Sequence, residues 1–560
     1  MTIESMKNIT FPTRTYEDWE QGAKTALKGK SIDSLNTSTF EGVTLQALYT
    51  KDMLAKIQST VTLQAAAVQS SKDQPGWRVA QEVAVDSAAQ FLSTVREDLS
   101  RGNETIVYTS ATELSWTDAE LQELAELIVD YPIYFKLTAE DQDILRVFEM
   151  VPAQLLDRVR GAIQIDESID APKNVRKTLI DTIPVHQAGG SAVHELGVAL
   201  SILAEKIEAG AESSDLWVRF AVDTQFFQEI AKLRAFRVLW KAFASAYGES
   251  WPAVPLYTET SVRSYSKLDP YVNLLRGGNA TFSAVLGGTD THTVHPHDFL
   301  TQPTASSRRI ARNVQLVIKE EAHVSHVVDP AAGSYFVETL TKEYVDAAWE
   351  YFLAIEEAGG YSQVKKTGWL ADDIQAKWKE REKKIATRQA SLIGTNTYAN
   401  PQEAVKDGKI DDSHLEYMTA KRLAGPFERL RAESKESILK TAIIHLGPLK
   451  KLKAKSDFIY GFLAVGGIEP LLSPELPSAG EINRYLEENQ LDYAVLCGTD
   501  EDLETVIPAL QSKAVIDVAG RYPEEKMKQW SENGIRDSIH SGKHLTNKLQ
   551  QILTIGKEAL

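Results

Sequence analysis

The chain has 560 residues, of which 43% are hydrophobic and 25% charged, so it has room for two or three domains or for one large barrel with a partner domain. Its net charge is −17 and no long basic block occurs, which argues against nucleic acids and anionic membranes as main partners. The single cysteine, Cys497, excludes an intrachain disulfide and a cysteine metal cluster.

The N-terminal sequence predicts neither a signal peptide nor a membrane span. "MTIESMKNITFPTRTYEDWE" has early acids and lacks the apolar core of a signal peptide. No apolar run in the chain reaches the roughly 18 residues that a span needs. We therefore expect a soluble, cytoplasmic protein. Residues 1–40 are polar, and "YEDWEQGAKTALKG" predicts a short helix in an arm that contacts either another subunit or its own domain.

Between residues 41 and 370, short β-rich runs alternate with helical stretches. The predicted strands include "TIVYTS", "IYFKLTA", "GAIQIDE", "TLIDTIPVH", "WVRFAVD", "VPLYTET" and "THTVHP". Amphipathic stretches such as "SAVHELGVALSILAEKIEAG" and "TQFFQEIAKLRAFRVLWKAF" separate them. This order favours a (β/α)₈ (TIM) barrel, although the number eight is inferred and not read from the sequence.

The rest of the chain divides into a linker and a second α/β domain. Residues 371–437 are charged and rich in predicted helix, which is typical of a linker lying across a surface. In residues 438–560, "KTAIIHLG", "IEPLLS", "DYAVLCGT", "AVIDVAG" and "IRDSIHS" predict strands separated by helices. That order is typical of a flavodoxin-like doubly wound sheet, where ligands bind at the carboxyl ends of the strands.

The loop predicted after the first of these strands has unusual chemistry for a ligand site. Within "HLGPLKKLKAK" it carries four lysines, and it has no acid or histidine after His445. The lysines suit a solvated face better than a site, although contact with a carboxylate or an acidic partner surface stays an alternative. The sequence therefore predicts a fold that usually binds a ligand, with a loop that lacks side chains suited to binding one.

Several motifs carry a resemblance to a known family. They are "EIAKLRAFRVLW", "DPYVNLLR", "AVLGGTDTHTVHPHD", "SSRRIARNVQLVIKEE", "HVSHVVDPAAGSYFVETLT" and "ASLIGTNTYANPQE". In these stretches the sequence resembles methylmalonyl-CoA mutase, and the resemblance covers roughly residues 40–560. The C-terminal domain resembles the cobalamin-binding domain of that family.

The resemblance implies a reaction and a cofactor. Members of the family interconvert methylmalonyl-CoA and succinyl-CoA with adenosylcobalamin as the radical source. The substrate threads through the barrel, and the corrin lies between the barrel and the C-terminal domain. Some bacteria pair a catalytic chain with a shorter chain that has lost the catalytic machinery, so the departures from the family pattern decide which type this chain is.

The cobalamin-binding pattern of the family is eroded in this sequence. The family has D-x-H-x-x-G after the first strand, where the histidine ligates cobalt and the aspartate orients it. The matching positions here are Lys450, Leu452 and Lys455, and a leucine side chain has no atom that ligates cobalt. The family's serine and double-glycine motifs are replaced by "CGT" and by Ala519-Gly520. His445 is a candidate rescue ligand, but a histidine that caps a strand or lies in an interface is the simpler interpretation.

The barrel also departs from the family pattern. A catalytic tyrosine–histidine pair is replaced by Val185 and His186, and the retained histidine would hydrogen-bond the thioester carbonyl of the substrate. A second family tyrosine is missing near "QPGWRVAQEV". The family's Gly-Trp is replaced by Val262-Arg263, and the bulk of Arg263 is expected to fill the channel.

Three other features suggest sites but favour structural roles. "HTVHPH" contains His292, His295 and His297, but alternation along a strand and the following proline favour a barrel-end loop over a metal site. His323 and His326 are interpreted as surface or packing residues. The glycine pairs in "AGGSA" and "LGGT" lack the spacing of a phosphate-binding loop, and Cys497 is interpreted as a buried, inert thiol.

The departures favour a non-catalytic small subunit of a heterodimeric methylmalonyl-CoA mutase. The resemblance then implies that adenosylcobalamin is bound by the catalytic large subunit and not by this chain, which would stabilise its partner. One alternative is an active isomerase with non-standard cobalt ligation and His186 on the substrate. Another is a free-standing binding or regulatory protein built on the same fold.

Overall fold

A computed structural model describes residues 7, 12 and 14–558, apart from 73, 110–113, 166–168, 249, 409–413, 416–417 and 436–438. Three predictions therefore extend beyond the described residues: the start of the N-terminal arm, the ends of the strands predicted in "TIVYTS" and "GAIQIDE", and part of the linker. Among the described residues, no helix is long and apolar enough to cross a membrane.

Between residues 14 and 386, the described residues form mostly parallel strands with helices between them. The strands are Arg78–Ala80, Glu82–Val83, Ile106–Thr109, Ile133–Lys136, Gly161–Gln164, Val175–Arg176, Thr178–Asp181, Leu216–Val222, Leu256–Thr260 and Thr291–Thr293. Two further short strands, Thr37–Ser38 and Thr44–Leu45, pair antiparallel. The helices are Tyr16–Ala26, Lys51–Ala55, Gln58–Gln69, Ala88–Ser100, Asp118–Asp130, Val147–Met150, Ile183–Gln187, Ala192–Glu208, Phe226–Ala246, Val272–Leu286, Ala305–Glu321, Tyr335–Glu357, Tyr361–Thr367 and Trp369–Ala386.

The parallel strands form two five-stranded sheets. The first has the order Glu82–Val83, Ile106–Thr109, Ile133–Lys136, Gly161–Gln164, Val175–Arg176. The second has the order Arg78–Ala80, Thr291–Thr293, Leu256–Thr260, Leu216–Val222, Thr178–Asp181. The α/β class with parallel sheets is confirmed. At two places, across Gln81 and across Lys177, a single residue separates a strand of one sheet from a strand of the other.

One predicted strand ends earlier than expected. "TLIDTIPVH" is a strand only as far as Asp181, and the short helix Ile183–Gln187 follows it with Pro184 in its first turn. A proline is favoured in the first turn of a helix because no backbone N–H is needed there. His186 therefore lies on a helix and not at the end of a strand.

The helix Phe226–Ala246 packs on the strands through both apolar and charged side chains. Its buried apolar residues pack on the strands, but it also buries Lys232, Arg234 and Arg237. Arg237 contacts Asp290 at 2.7 Å and donates to the Val254 carbonyl. Buried cations persist in proteins when they are paired in this way.

The C-terminal residues form a separate five-stranded parallel sheet. Its order is Leu471–Glu475, Thr441–His445, Tyr493–Cys497, Val515–Ala519, Ile535–Ile539. The helices that alternate with these strands are Leu449–Val465, Ala479–Glu488, Asp500–Val506, Glu524–Ser531 and Leu545–Glu558.

The segment between the two regions is packed into both cores. The helix Trp369–Ala386 places Leu370 and Ile374 in the core of the N-terminal region, and Ile385 in the core around the C-terminal sheet. The later helix Gly425–Ser434 also joins the C-terminal core, and the short strands His414–Leu415 and Met418–Thr419 pair antiparallel before it. The predicted linker is therefore a packed connector and not only a surface segment.

Candidate functional site

The space between the two N-terminal sheets is filled by aromatic rings. Tyr134 comes from the first sheet, and Trp217 and Tyr257 come from the second. The Tyr134 and Tyr257 ring centroids are 4.7 Å apart, and the Trp217 centroid is 5.9 Å from that of Tyr134. Small residues, including Ala80 and Ala162, complete this cluster. The aromatic layer, meaning Tyr134, Trp217 and Tyr257, occupies the space in which a ligand passing between the sheets would have to lie.

A layer of charged side chains lies two residues further along the same strands. Arg219 donates to Gln164 at 2.6 Å, to Asp181 at 3.2 Å and to Glu259 at 3.0 Å. Lys136 lies 3.5 Å from Glu259. These side chains come from both sheets, so the layer joins one sheet to the other through ion pairs. The charges of Arg219 and Lys136 are thus paired within the protein.

His186 is enclosed by protein groups. Its side chain is 1% exposed, Nδ1 lies 2.9 Å from Glu195 Oε1, and Nε2 lies 2.7 Å from the Ser261 hydroxyl. Glu195 also accepts from the Lys232 ammonium at 3.2 Å through both of its oxygens. Burial, with the nearby cations Arg263 and Lys232, lowers the pKa of His186 well below its usual value. The ring is therefore neutral, and both of its nitrogens already have partners.

Arg263 closes the same region from the adjoining loop. Its guanidinium donates to Asp223 Oδ2 from Nε at 3.0 Å and to the carbonyls of His186 and Gly190 at 3.1 and 2.8 Å. Although burial raises the pKa of Asp223, the guanidinium of Arg263 outweighs it and holds that pKa well below the usual range. Arg263 is buried at this end of the sheets, and its charge is paired with that of Asp223.

Two of the motifs that carry the family resemblance meet in the interior. Arg234 forms an ion pair with Asp329 and lies 2.8 Å from Glu338, and all three side chains are buried. Arg234 belongs to "EIAKLRAFRVLW", and the two carboxylates belong to "VVDPAAGSYFVE". These motifs therefore build a structural ion pair in this chain.

In the C-terminal region, the positions expected to hold a cobalt ligand are helical. The helix begins at Leu449, directly after Pro448, so the four lysines predicted to lie in a loop are on its first turns instead. Leu452 is buried in that helix, 4% exposed. Lysine is a good helix former, which explains why a helix starts where a loop was expected after the strand.

His445 is also fully engaged. It is buried at the end of its strand, with Nδ1 2.9 Å from the Ser473 carbonyl and Nε2 2.9 Å from the Ser456 hydroxyl. It therefore links two strands and the following helix, as a strand-capping histidine does. Cys497, on the neighbouring strand, is buried and free, and burial raises its pKa to about 12.

The histidines of "HTVHPH" are held by hydrogen bonds and ring stacking. His292 lies in a strand between the hydroxyls of Thr258 at 2.7 Å and Thr281 at 3.2 Å. His295 stacks on Phe299 and His297 stacks on Tyr271. His323 and His326 are exposed. Across the part of the chain that the structure describes, no group of three or more metal-ligating side chains was found.

The sequence contains a signal for the two interior layers that the prediction of the strands alone does not include. Each of three strands has an aromatic residue followed two positions later by a charged one, in "YFK", "WVR" and "YTE". Residues two apart on a strand share one face, so each pair must point into the same space. Recognising three such pairs would have predicted stacked aromatic and charged layers.

Comparison with known proteins gives a consistent result. The family model described as methylmalonyl-CoA mutase matches residues 152–455. A methylmalonyl-CoA mutase small subunit from Streptomyces virginiae is 30% identical, covering 91% of this chain and 93% of that protein. One from Porphyromonas gingivalis is 27% identical over 95% of each chain. A protein named methylmalonyl-CoA mutase from Cereibacter sphaeroides is 28% identical, covering 73% of this chain and 69% of its own length.

Proposed function

The chain belongs to the methylmalonyl-CoA mutase family, and we propose that it is the non-catalytic small subunit of a heterodimeric enzyme of that family. The observation that carries this proposal is the filled space between the N-terminal sheets. The aromatic layer and the paired charges beside it occupy space that an acyl-CoA would need between those sheets. The role left to this chain is to bind and stabilise a catalytic large subunit.

We infer that the two N-terminal sheets are halves of one (β/α)₈ barrel spanning residues 41–370. The chain passes from one sheet to the other across Gln81 and again across Lys177, so each sheet continues into the other at both edges. The aromatic layer and the ion pairs of Arg219 draw on both sheets. A packed interior made of layers from successive strands is typical of such barrels.

We infer that residues 438–560 are a degenerate cobalamin-binding domain, joined to the barrel by residues 371–437. In chain order its strands are arranged 2-1-3-4-5 and are all parallel. That order is the one found in flavodoxin-like sheets, where ligands bind at the carboxyl ends of the strands. The fold therefore supports descent from a cofactor-binding domain.

The family is generally cobalamin-dependent, but the residues of this chain do not fit a cobalt ligand. Leu452 is aliphatic and buried, and both ring nitrogens of His445 are bonded within the protein. A histidine ligand needs a free ring nitrogen and usually a carboxylate or carbonyl behind it. We propose that adenosylcobalamin is held by the large subunit.

His186 keeps its family position but not an accessible role. Its neighbours Glu195, Ser261 and Arg263 use both ring nitrogens and its backbone carbonyl. We propose that it now supports the loop that carries Arg263, and that no substrate carbonyl reaches it.

The N-terminal arm, residues 1–40, is a candidate contact with the partner. Its helix Tyr16–Ala26 buries no residue, and Tyr16 and Trp19 lie half-buried with their ring centroids 5.2 Å apart. A partner surface that covers these rings would bury apolar area that the isolated chain leaves in water.

Titration with adenosylcobalamin tests the assignment. The purified chain is titrated while the corrin absorption spectrum is followed, and we expect no saturable spectral change. Saturable binding with the spectrum of histidine-ligated cobalt would contradict the proposal, because a residue of this chain would then replace the lost ligand.

A further inference from the structure

Two exposed histidines lie next to each other after the helix Ala305–Glu321. The helix has its C-cap at Ala322, and the single turn Val324–His326 follows. The ring centroids of His323 and His326 are 5.1 Å apart, and both side chains are exposed. The proposed function above assigns no role to this histidine pair, meaning His323 and His326.

The backbone of the turn brings the two rings together. The N–H of His326 donates to the His323 carbonyl at 3.2 Å, which closes the turn. Side chains three residues apart eclipse one another in a 3₁₀ turn, so the spacing of the two histidines favours their contact. His323 has a φ of +56°, in the left-handed region. Glycine or asparagine is the usual residue in that conformation after a helix, so the chain places a histidine where glycine would be free of strain.

The ring nitrogens of the histidine pair are not used by the protein. Among the residues that the structure describes, neither imidazole forms a hydrogen bond or an ion pair. By contrast, both ring nitrogens of His186 and of His445 are bonded to protein groups. Imidazole is the commonest metal ligand among side chains. The histidine pair thus presents two ligands to a metal ion.

The separation of the rings fits the coordination of one ion. Zn²⁺ binds an imidazole nitrogen at about 2.1 Å, which puts the ion about 3.2 Å from the ring centroid. A tetrahedral angle between two such bonds separates the two centroids by about 5.2 Å. The observed separation is 5.1 Å, so the ring positions need little change to hold one ion.

The end of the helix also favours a cation. The last carbonyls of a helix have no N–H partner within it, and the helix dipole adds partial negative charge there. The helix Ala305–Glu321 has 17 residues, and its last two, Glu320 and Glu321, are exposed acids. Lys319, the base in its last turn, is already paired with Glu104 at 2.6 Å. A cation bound by the histidine pair would therefore lie near the negative end of this helix.

We propose that His323 and His326 bind a divalent transition-metal ion of the class that prefers imidazole, such as Zn²⁺. Two protein ligands leave the other coordination positions to water, so we expect weaker binding than at a structural zinc site with four protein ligands. Imidazole suits Zn²⁺, Ni²⁺ and Cu²⁺, whereas Mg²⁺ prefers oxygen ligands. The inference goes beyond the proposed subunit role and does not depend on it.

The test is calorimetric titration of the full, untagged chain with Zn²⁺ after treatment with a chelator. We expect saturable binding of one ion in the micromolar range. His326→Gln should weaken this binding about tenfold or more, because one of the two ligands is lost. His323→Asn should have the same effect, and asparagine tolerates the positive φ at this position, so the variant keeps the turn. Mg²⁺ should show no saturable binding at the same concentrations.

The control variant is His540→Gln. It removes a half-buried histidine from the C-terminal region and should bind Zn²⁺ as the wild type does. Absence of saturable Zn²⁺ binding at millimolar concentration would overturn the proposal, because the two rings would then only contact each other. Unchanged binding in His323→Asn or in His326→Gln would overturn it too, since the ion would then lie elsewhere. Equal weakening in His540→Gln would contradict it for the same reason.

Discussion

Replacing Trp217 with alanine tests whether the aromatic layer is packed interior. Trp217 is 2% exposed, so truncation removes about 200 Å² of buried ring surface, which corresponds to about 5 kcal/mol at about 25 cal/mol per Å². The indole N–H has no hydrogen-bond partner among the described residues, and this costs the folded state about 2 kcal/mol that the variant recovers. We therefore expect Trp217→Ala to lower the free energy of unfolding by about 3 kcal/mol, at the lower end of the range for such truncations.

The assay is urea denaturation followed by far-ultraviolet circular dichroism. Trp217→Phe is the matched control, since it keeps an aromatic ring and removes the unpaired N–H, and its cost should stay below about 1.5 kcal/mol. Trp369→Ala removes a tryptophan that is 38% exposed, and it should cost less than Trp217→Ala. A loss below about 1 kcal/mol in Trp217→Ala would refute the packed-interior account, because it would mean that the ring lines open space.

Three further predictions concern buried charges and the thiol. Arg234→Met leaves two carboxylates buried without their cation and should lower the free energy of unfolding by about 3–5 kcal/mol, whereas exposed Arg309→Met should change it by less than about 0.5 kcal/mol in the same assay. Burial, reinforced by a neighbouring histidine, lowers the pKa of His292 to about 3. Below about pH 6.5, the unfolded chain therefore binds a proton at this side chain that the folded chain does not bind. Protonation of this side chain in the unfolded chain should therefore lower the free energy of unfolding by about 2 kcal/mol between about pH 7 and pH 5. Urea titrations at both pH values should find that this loss is smaller in His292→Gln. The same pH dependence in the variant and the wild type would contradict the prediction. Cys497 should react with a thiol reagent only after unfolding in urea, and rapid labelling of the native chain would show that it is not buried.

The strands were predictable because each is a short apolar run bounded by turn residues. The runs around Leu216–Val222 and Tyr493–Cys497 are buried throughout and match the predicted positions closely. The division of the N-terminal strands into two sheets was not predictable. It depends on which neighbouring strands the short strands on either side of Gln81 and Lys177 form hydrogen bonds with. Nothing in the sequence around Gln81 indicates that the strand before it and the strand after it join different sheets.

The sequence predicted which family residues the candidate site lacks, but not which contacts the replacing residues make. The sequence alone indicates that Leu452 is no ligand and that Arg263 is bulky. It does not indicate that Arg263 pairs with Asp223, or that Arg234 pairs with Asp329, since these partners are 40 and 95 residues apart along the chain. The start of the helix at Leu449 was missed because a loop was expected after the first strand of the doubly wound sheet, whereas the four lysines favour a helix.

Activity in reconstituted mixtures tests the central claim most directly. This chain and the catalytic large subunit of the same source are purified separately, and turnover of methylmalonyl-CoA with adenosylcobalamin is measured for each chain alone and for the mixture. The account predicts no turnover by this chain alone and a heterodimer, resolved by size-exclusion chromatography, whose activity outlasts that of the large subunit alone on warming. Turnover by this chain alone would contradict the account, and so would a mixture that elutes as two separate chains.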